Sequence, residues 1–273
     1  MQPTLMRGRV LIVAGSDSSG GAGIQADIKS VTALGAYAAT AVTAVTVQNT
    51  QGVTGIHPIP TTTVVAQIRA VLTDIGADVI KTGMLATGDL IDTVHALLKR
   101  EAPDVPLVVD PVMVAKGGAA LIDRDAVHAM KARLIPRATL ITPNLPEAEA
   151  LTGRKIGTLQ AMREAVKPLL DLGAKAVLLK GGHLPGDDLI DIYAGPDGTQ
   201  EWSATRIQTH HTHGTGCTLA SAIATGLAQG MSAVDSIARA RAYVRRAIET
   251  APGLGRGHGP LNHAHTVRPY TQE

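Results

Sequence analysis

Short aliphatic runs alternate along this chain with longer amphipathic stretches. Val10 to Ala14 is apolar throughout and stops at Gly15, the mark of a strand buried on both faces. Ile24 to Leu34 follows with helical spacing. Ala39 to Val47 is rich in β-branched residues, alternates, and runs into Gln48-Asn49-Thr50. The pattern continues as helix over Thr62 to Ile75, strand over Val79 to Met84, helix over Gly88 to Arg100 and strand over Pro106 to Pro111. Helix over Asp123 to Leu134 and strand over Thr139 to Thr142 come next. Pro143-Asn144-Leu145-Pro146-Glu147 then opens a helix, with Asn144 at the N-cap and Glu147 at the third helical position. Thr158 to Leu172 reads as helix and Ala176 to Lys180 as strand. Asp188 to Ala194 and Trp202 to Gln208 alternate around Gly195-Pro196-Asp197-Gly198, which predicts a β-hairpin. Helices are predicted from about Thr218 to Ala228 and from Ala233 to Glu249. The tail beyond Ala251 is rich in Gly, Pro and His and reads as loop.

Strand and helix in alternation predict a mostly parallel sheet with helices on both faces, an α/β fold with the hairpin as an antiparallel extension. No composition break or long linker divides the chain, so a single domain over residues 1–273 is expected. Composition narrows this picture. Apolar residues make up 45 % of the 273, Phe is absent and Trp occurs once, so the core must be aliphatic. A net charge of +2 and few aromatic rings leave neither the electrostatic footprint nor the stacking surface of a nucleic-acid binder. The run at Val10 to Ala14 is too short for a signal peptide or a membrane span. One cysteine excludes an intrachain disulfide and suits a reducing, cytoplasmic setting.

In a parallel sheet, ligands gather at the carboxyl ends of the strands. Gly15, Gln48, Gly83, Asp110, Asn144 and Lys180 all fall at or just after such ends. The loop Gly15-Ser16-Asp17-Ser18-Ser19-Gly20-Gly21-Ala22-Gly23 joins a strand to a helix, but its glycines match neither a Walker A motif nor the dinucleotide fingerprint. Asp17 and Asp27 fit either a polar ligand or simple loop and first-turn roles. The Gln48 carboxamide can donate to and accept from one heterocycle edge at once, or close the strand as a turn residue. Met84 suits a pocket wall or core filling. A carboxylate at Asp110 suits metal or phosphate chemistry as well as a turn. Lys180, capping an otherwise apolar strand, is assigned to a phosphate. Lys116-Gly117-Gly118, within Ala115 to Ala120, is a candidate lid. His258, His263 and His265 lack the spacing of a zinc site.

The richest stretch is His211-Thr212-His213-Gly214-Thr215-Gly216-Cys217-Thr218. A Gly-containing turn runs into a helix, whose first amides have no internal partner and carry the positive end of the dipole. The amides of about Thr215 to Cys217 would cradle an anion, with Cys217 beside them where a thiol ionises more easily. An ordinary turn before a buried helix, with Cys217 as a small core residue, stands beside that reading.

These segments in this order resemble the hydroxymethylpyrimidine/phosphomethylpyrimidine kinases of thiamine biosynthesis, in the ribokinase-like superfamily. The resemblance spans Ala14-Gly15-Ser16-Asp17 to Gly257-His258-Gly259-Pro260. It rests on Gly20-Gly21-Ala22-Gly23-Ile24-Gln25-Ala26-Asp27, Gln48-Asn49-Thr50, Lys81-Thr82-Gly83-Met84-Leu85, Thr142-Pro143-Asn144-Leu145-Pro146-Glu147, Lys180-Gly181-Gly182-His183 and Thr212-His213-Gly214-Thr215-Gly216-Cys217. It implies a three-layer α/β/α sandwich. It also implies ATP-dependent phosphorylation of 4-amino-5-hydroxymethyl-2-methylpyrimidine to the monophosphate and then the diphosphate. Gln48 would bond the aminopyrimidine and Met84 pack beside it, with Gly15, Asp27 and Val112 also at the substrate. Gly214, Thr215 and Gly216 would form the anion hole and Cys217 act as base. Asn144, Glu147, Lys180 and Thr215 would serve the nucleotide, and Asp110 and Glu147 would hold Mg²⁺. A homodimer is implied as well. Ser16 and Ser18, where Thr and Pro are common, and the doubled His210-His211 are departures. The alternatives are a pyridoxal/pyridoxine kinase of the same superfamily and a non-catalytic pyrimidine-binding module.

Overall fold

In a computed structural model, residues 6–113 and 124–268 are described. The candidate lid at Lys116 to Ala120 lies outside them. Among the described residues, nine strands form one sheet in the order β3-β2-β1-β4-β5-β6-β7-β8-β9. The parallel centre comprises β2 (Tyr37–Asn49), β1 (Arg9–Asp17), β4 (Val79–Thr82), β5 (Leu107–Val109), β6 (Leu140–Ile141) and β7 (Val177–Lys180). At one edge β3 (Gly52–Pro58) runs antiparallel to β2. At the other, β8 (Asp188–Gly195) and β9 (Gly198–Thr205) form the expected hairpin, antiparallel to β7.

Alternation along β1 shows how the layers arise. Leu11 and Val13 join a core beneath α2 (Thr61–Asp74), α3 (Gly88–Glu101), α4 (Arg124–Ala129), α6 (Leu145–Thr152) and α7 (Leu159–Leu170). Val10, Ile12 and Ala14 face the opposite way, against α1 (Gly23–Ala33) and α8 (Thr215–Ala228). α9 (Ala233–Glu249) packs beside α8 through Ile237, Ala240 and Val244. This is the mostly parallel, three-layer α/β/α sandwich the sequence predicts. A π turn, Met130–Leu134, and a short α5, Ile135–Arg137, continue α4.

Several boundaries differ from expectation, and one strand goes unread. β1 continues past Gly15 to Asp17, with a bulge between Ala14 and Ser16. The second hairpin strand starts at Gly198 and ends at Thr205, because the turn needs only Pro196 and Asp197. α8 begins at Thr215, not Thr218, so Gly216 and Cys217 lie in its first turn. β3 goes unread because its glycines and proline break the alternation that marks a strand.

The C-terminal tail is fastened back onto the sheet. The His258 amide donates to the Thr50 carbonyl at 2.7 Å, the Gly257 amide to Thr50 Oγ1 at 3.2 Å, and the His213 amide to the Gly259 carbonyl at 3.1 Å.

Candidate active site

The strand ends, the first loop and the mouth of α8 enclose a cleft of about 1180 Å³. Gly15, Gln48, Met84, Asp110, Val112, Asn144, Glu147, Lys180 and the segment Gly214 to Cys217 all line it. The sequence expectations for these positions therefore converge on one place. Asp27 is the exception, and its expected ligand role is corrected here. It is fully buried, accepts from Lys81 Nζ at 2.9 Å and from Ser221 Oγ at 2.7 Å, and is not among the lining residues.

α8 can begin where it does because Gly214 sits at φ +82° with its Cα against the Gly21 carbonyl, where any Cβ would collide. Thr218 makes the first intrahelical bond, to the Gly214 carbonyl at 2.9 Å. The Gly216 and Cys217 amides make no hydrogen bond among the described residues, so they are available to an anion. A Cβ built on Gly216 would lie 3.4 Å from Lys180 Nζ and 3.7 Å from Asp110 Oδ2. Cradle, ammonium and carboxylate therefore share one corner.

The electrostatics of that corner are set by burial. Lys180 Nζ lies 3.3 Å from Asp110 Oδ1, which Thr142 Oγ1 also meets at 3.2 Å. Burial disfavours the Lys180 ammonium, but Asp110 and Glu147 outweigh it and hold its pKa above the ordinary lysine value. Glu147 closes the expected capping box: the Asn144 amide donates to its carboxylate at 2.8 Å, and its own amide donates to Asn144 Oδ1 at 2.9 Å. Burial, reinforced by the Asp110 charge, pushes Glu147 up to about 7. Two buried carboxylates facing one ammonium form a set of hard oxygen donors that suits a divalent cation.

Cys217 corrects a second expectation. Burial pushes its thiol up to about 12, against the pull of Lys81 and of a hydrogen bond from the Gly23 amide, while Asp27 and Asp110 add to the rise. The helix mouth does not by itself make a thiolate, because desolvation outweighs the dipole.

Met84, Gln48 and His213 build another part of the cleft lining. Met84 lies over Gly15, its Cε 2.7 Å from where a Cβ on Gly15 would stand. Gln48 lies between Thr46 and His213, and His213 Nε2 is 2.8 Å from Asp17 Oδ2. Asp17 is a loop anchor, accepting from the Ser19, Gly21 and Ala22 amides. Burial works against its charge, but hydrogen bonds from His213, Ser19 and Ala22 prevail and pull it down to about 2. Sequence reasoning missed the Asp17–His213 contact because it joins residues 196 positions apart. It also missed Lys81, the buried partner of Asp27. Only its polarity within an apolar strand hinted at a role.

Comparison with known proteins agrees with the geometry. The family model described as phosphomethylpyrimidine kinase matches residues 17–262. The thiamine biosynthesis bifunctional protein ThiED of Geobacter sulfurreducens is 55 % identical over 94 % of this chain, which spans 52 % of that longer protein. The hydroxymethylpyrimidine/phosphomethylpyrimidine kinase of Streptomyces coelicolor is 48 % identical over 93 % of each chain. Among solved structures, an ADP complex of Bacillus subtilis pyridoxal kinase superposes with a TM-score of 0.87 at 36 % identity, covering 94 % of this chain and 98 % of the other.

Proposed function

The chain belongs to the phosphomethylpyrimidine kinase family, and from that premise we propose that it is an ATP-dependent hydroxymethylpyrimidine/phosphomethylpyrimidine kinase of thiamine biosynthesis. It phosphorylates the hydroxymethyl group of 4-amino-5-hydroxymethyl-2-methylpyrimidine and then extends the monophosphate to the diphosphate. The observation that carries this reading is the shared cleft. Gln48, Met84, Lys180, Asp110, Glu147 and Cys217 all line it, and Gly216 in the first turn of α8 lies beside Lys180 and Asp110.

Phosphoryl transfer through a loose transition state asks the protein mainly for alignment and charge neutralisation. Gln48 and Met84 hold the ring, with Gly15 and Val112 beside it, so that the hydroxymethyl group points at the mouth of α8. The open amides of Gly216 and Cys217 take the developing charge, whereas the Thr215 amide is turned to the Thr212 carbonyl at 3.4 Å and Gly214 shapes the turn before them. Lys180 draws on the same charge, and Asn144 and Thr215 flank the nucleotide phosphates. Asp110 and Glu147 would hold Mg²⁺, which would supply positive charge against the transferring phosphoryl group. Cys217 faces the substrate hydroxyl and accepts its proton when ionised. The nucleotide-complexed pyridoxal kinase that shares the fold supports ATP as donor. The lone free cysteine suits a cytoplasmic enzyme. Edge strand β3 and the exposed Val45 and Val47 on one face of β2 support a homodimer.

Incubation with ATP, Mg²⁺ and the aminopyrimidine alcohol, followed by product analysis, tests the assignment. Mono- and diphosphate should both form. A clear preference for pyridoxal or pyridoxine would overturn the substrate, and ring binding without ATP consumption would leave only a binding module.

A further inference from the structure

The carboxamide of Gln48 is held between two neighbours whose hydrogen-bond arithmetic sets its orientation. On one side Thr46 Oγ1 lies 2.8 Å from the Ser16 carbonyl and 3.1 Å from Gln48 Oε1. A hydroxyl has one proton and a carbonyl oxygen only accepts. The shorter contact to Ser16 takes that proton, leaving two acceptors face to face at Gln48. On the other side His213 Nε2 lies 2.8 Å from Asp17 Oδ2 and 3.4 Å from Gln48 Nε2. Asp17 takes four further protein donors, from the amides of Ser19, Gly21 and Ala22 and the Ser19 hydroxyl, as a carboxylate does. Its imidazole partner therefore carries the proton on Nε2, and two donors face each other at Gln48. A half-turn of the carboxamide, which exchanges atoms of nearly equal size, removes both conflicts at once. The NH₂ then donates to Thr46, and the oxygen takes the place 3.4 Å from the protonated Nε2 of His213, an attractive contact although the Nε2 proton itself goes to Asp17.

We propose that the Asp17–His213 pair locks the Gln48 carboxamide with its oxygen toward His213 and its NH₂ toward Thr46, so that His213 determines which donor–acceptor edge of a heterocycle the cleft takes. His213 is well placed for this. It is 4 % exposed, and a Cβ on Gly21 would lie 2.5 Å from its Cδ2, so the ring is confined on that flank. The inference rests on the reading that Gln48 meets the substrate ring. Locked in this way, Gln48 offers one N–H and one lone pair in fixed order. An amidine-like edge, a ring nitrogen beside an exocyclic NH₂, satisfies both. The 4-oxo counterpart has the same size but presents N–H beside C=O, the reverse order. Without His213 the carboxamide is free to turn, since the Thr46 hydroxyl can swing its proton from the Ser16 carbonyl to a Gln48 oxygen, and either ring is accepted; locked, it rejects the second, because buried polar groups are left unpaired. His213 is a positioning residue, acting on the ring through Gln48.

The test compares kcat/KM for the 4-amino and 4-oxo hydroxymethylpyrimidines in four proteins: wild type, His213→Leu, His213→Gln and Gln48→Leu. Wild type should prefer the amino ring by about 10²–10⁴-fold. His213→Leu should lose at least about tenfold of that ratio, mainly by gaining on the oxo ring. His213→Gln, whose two amide protons can serve Asp17 and Gln48 together, should retain it. Equal losses on both substrates in His213→Leu, or an unchanged ratio there while Gln48→Leu loses it, would overturn the proposal alone. An unchanged ratio in Gln48→Leu would overturn the underlying contact between Gln48 and the ring.

Discussion

Cys217 holds a proton that it does not readily release. With burial pushing its thiol up to about 12, the thiolate, the proposed base, is a minor species at neutral pH, and its fraction grows about tenfold per pH unit. The rate of phosphorylation should therefore climb between pH 7 and 10 in wild type. In Cys217→Ala turnover should fall by about 10²–10⁴ and that climb should disappear, with pyrimidine binding and fold retained. Near-normal turnover would remove Cys217 from the chemistry. Asp17 behaves in the opposite sense. Its folded-state value near 2 lies below the ordinary one, so its contribution is complete above about pH 4 and is lost as pH falls toward 2. That contribution amounts to about 2 kcal/mol. Urea denaturation should show Asp17→Asn less stable at pH 7, with the gap to wild type closing in acid.

Among the elements, the start of α8 decides most. Gly214→Ala combines a left-handed backbone with a collision against the Gly21 carbonyl. It should cost at least about 2 kcal/mol in a melting experiment and cripple turnover together. The helix's approximate position was legible in the chain, since a Gly-containing turn precedes a long apolar stretch. Its first turn was not, because Thr215-Gly216-Cys217 has poor helix propensity and is held by tertiary contacts. The strand-end residues were legible for a related reason: aliphatic strands end abruptly, and a parallel sheet brings those ends to one edge. Gln48, Asp110, Asn144 and Lys180 could thus be placed before any coordinates. The fate of Asp27 could not, since a carboxylate in a first helical turn looks the same whether it faces a ligand or a buried ammonium. The charge state of Cys217 was equally hidden, because desolvation depends on what packs around the sulfur.

Across the whole molecule, the Lys81–Asp27 pair ties the centre of the sheet to the α1 and α8 layer, with Ser221 as the third member. Both charged side chains are 0 % exposed. Asp27 holds the Lys81 ammonium charged despite burial. Lys81→Met should strand the carboxylate and cost about 3–5 kcal/mol, while Lys81→Met with Asp27→Leu should recover much of the loss. Denaturant midpoints of the two variants decide this, and equal midpoints would mean the pair is not coupled. The tail acts at the same scale, joining the Thr50 turn to the loop that carries His213. During synthesis, every strand and both layers emerge before Gly257 to Gly259 leave the ribosome. A nascent chain can therefore hold both layers of the sandwich while the Thr50 turn and the loop carrying His213 still lack their common brace.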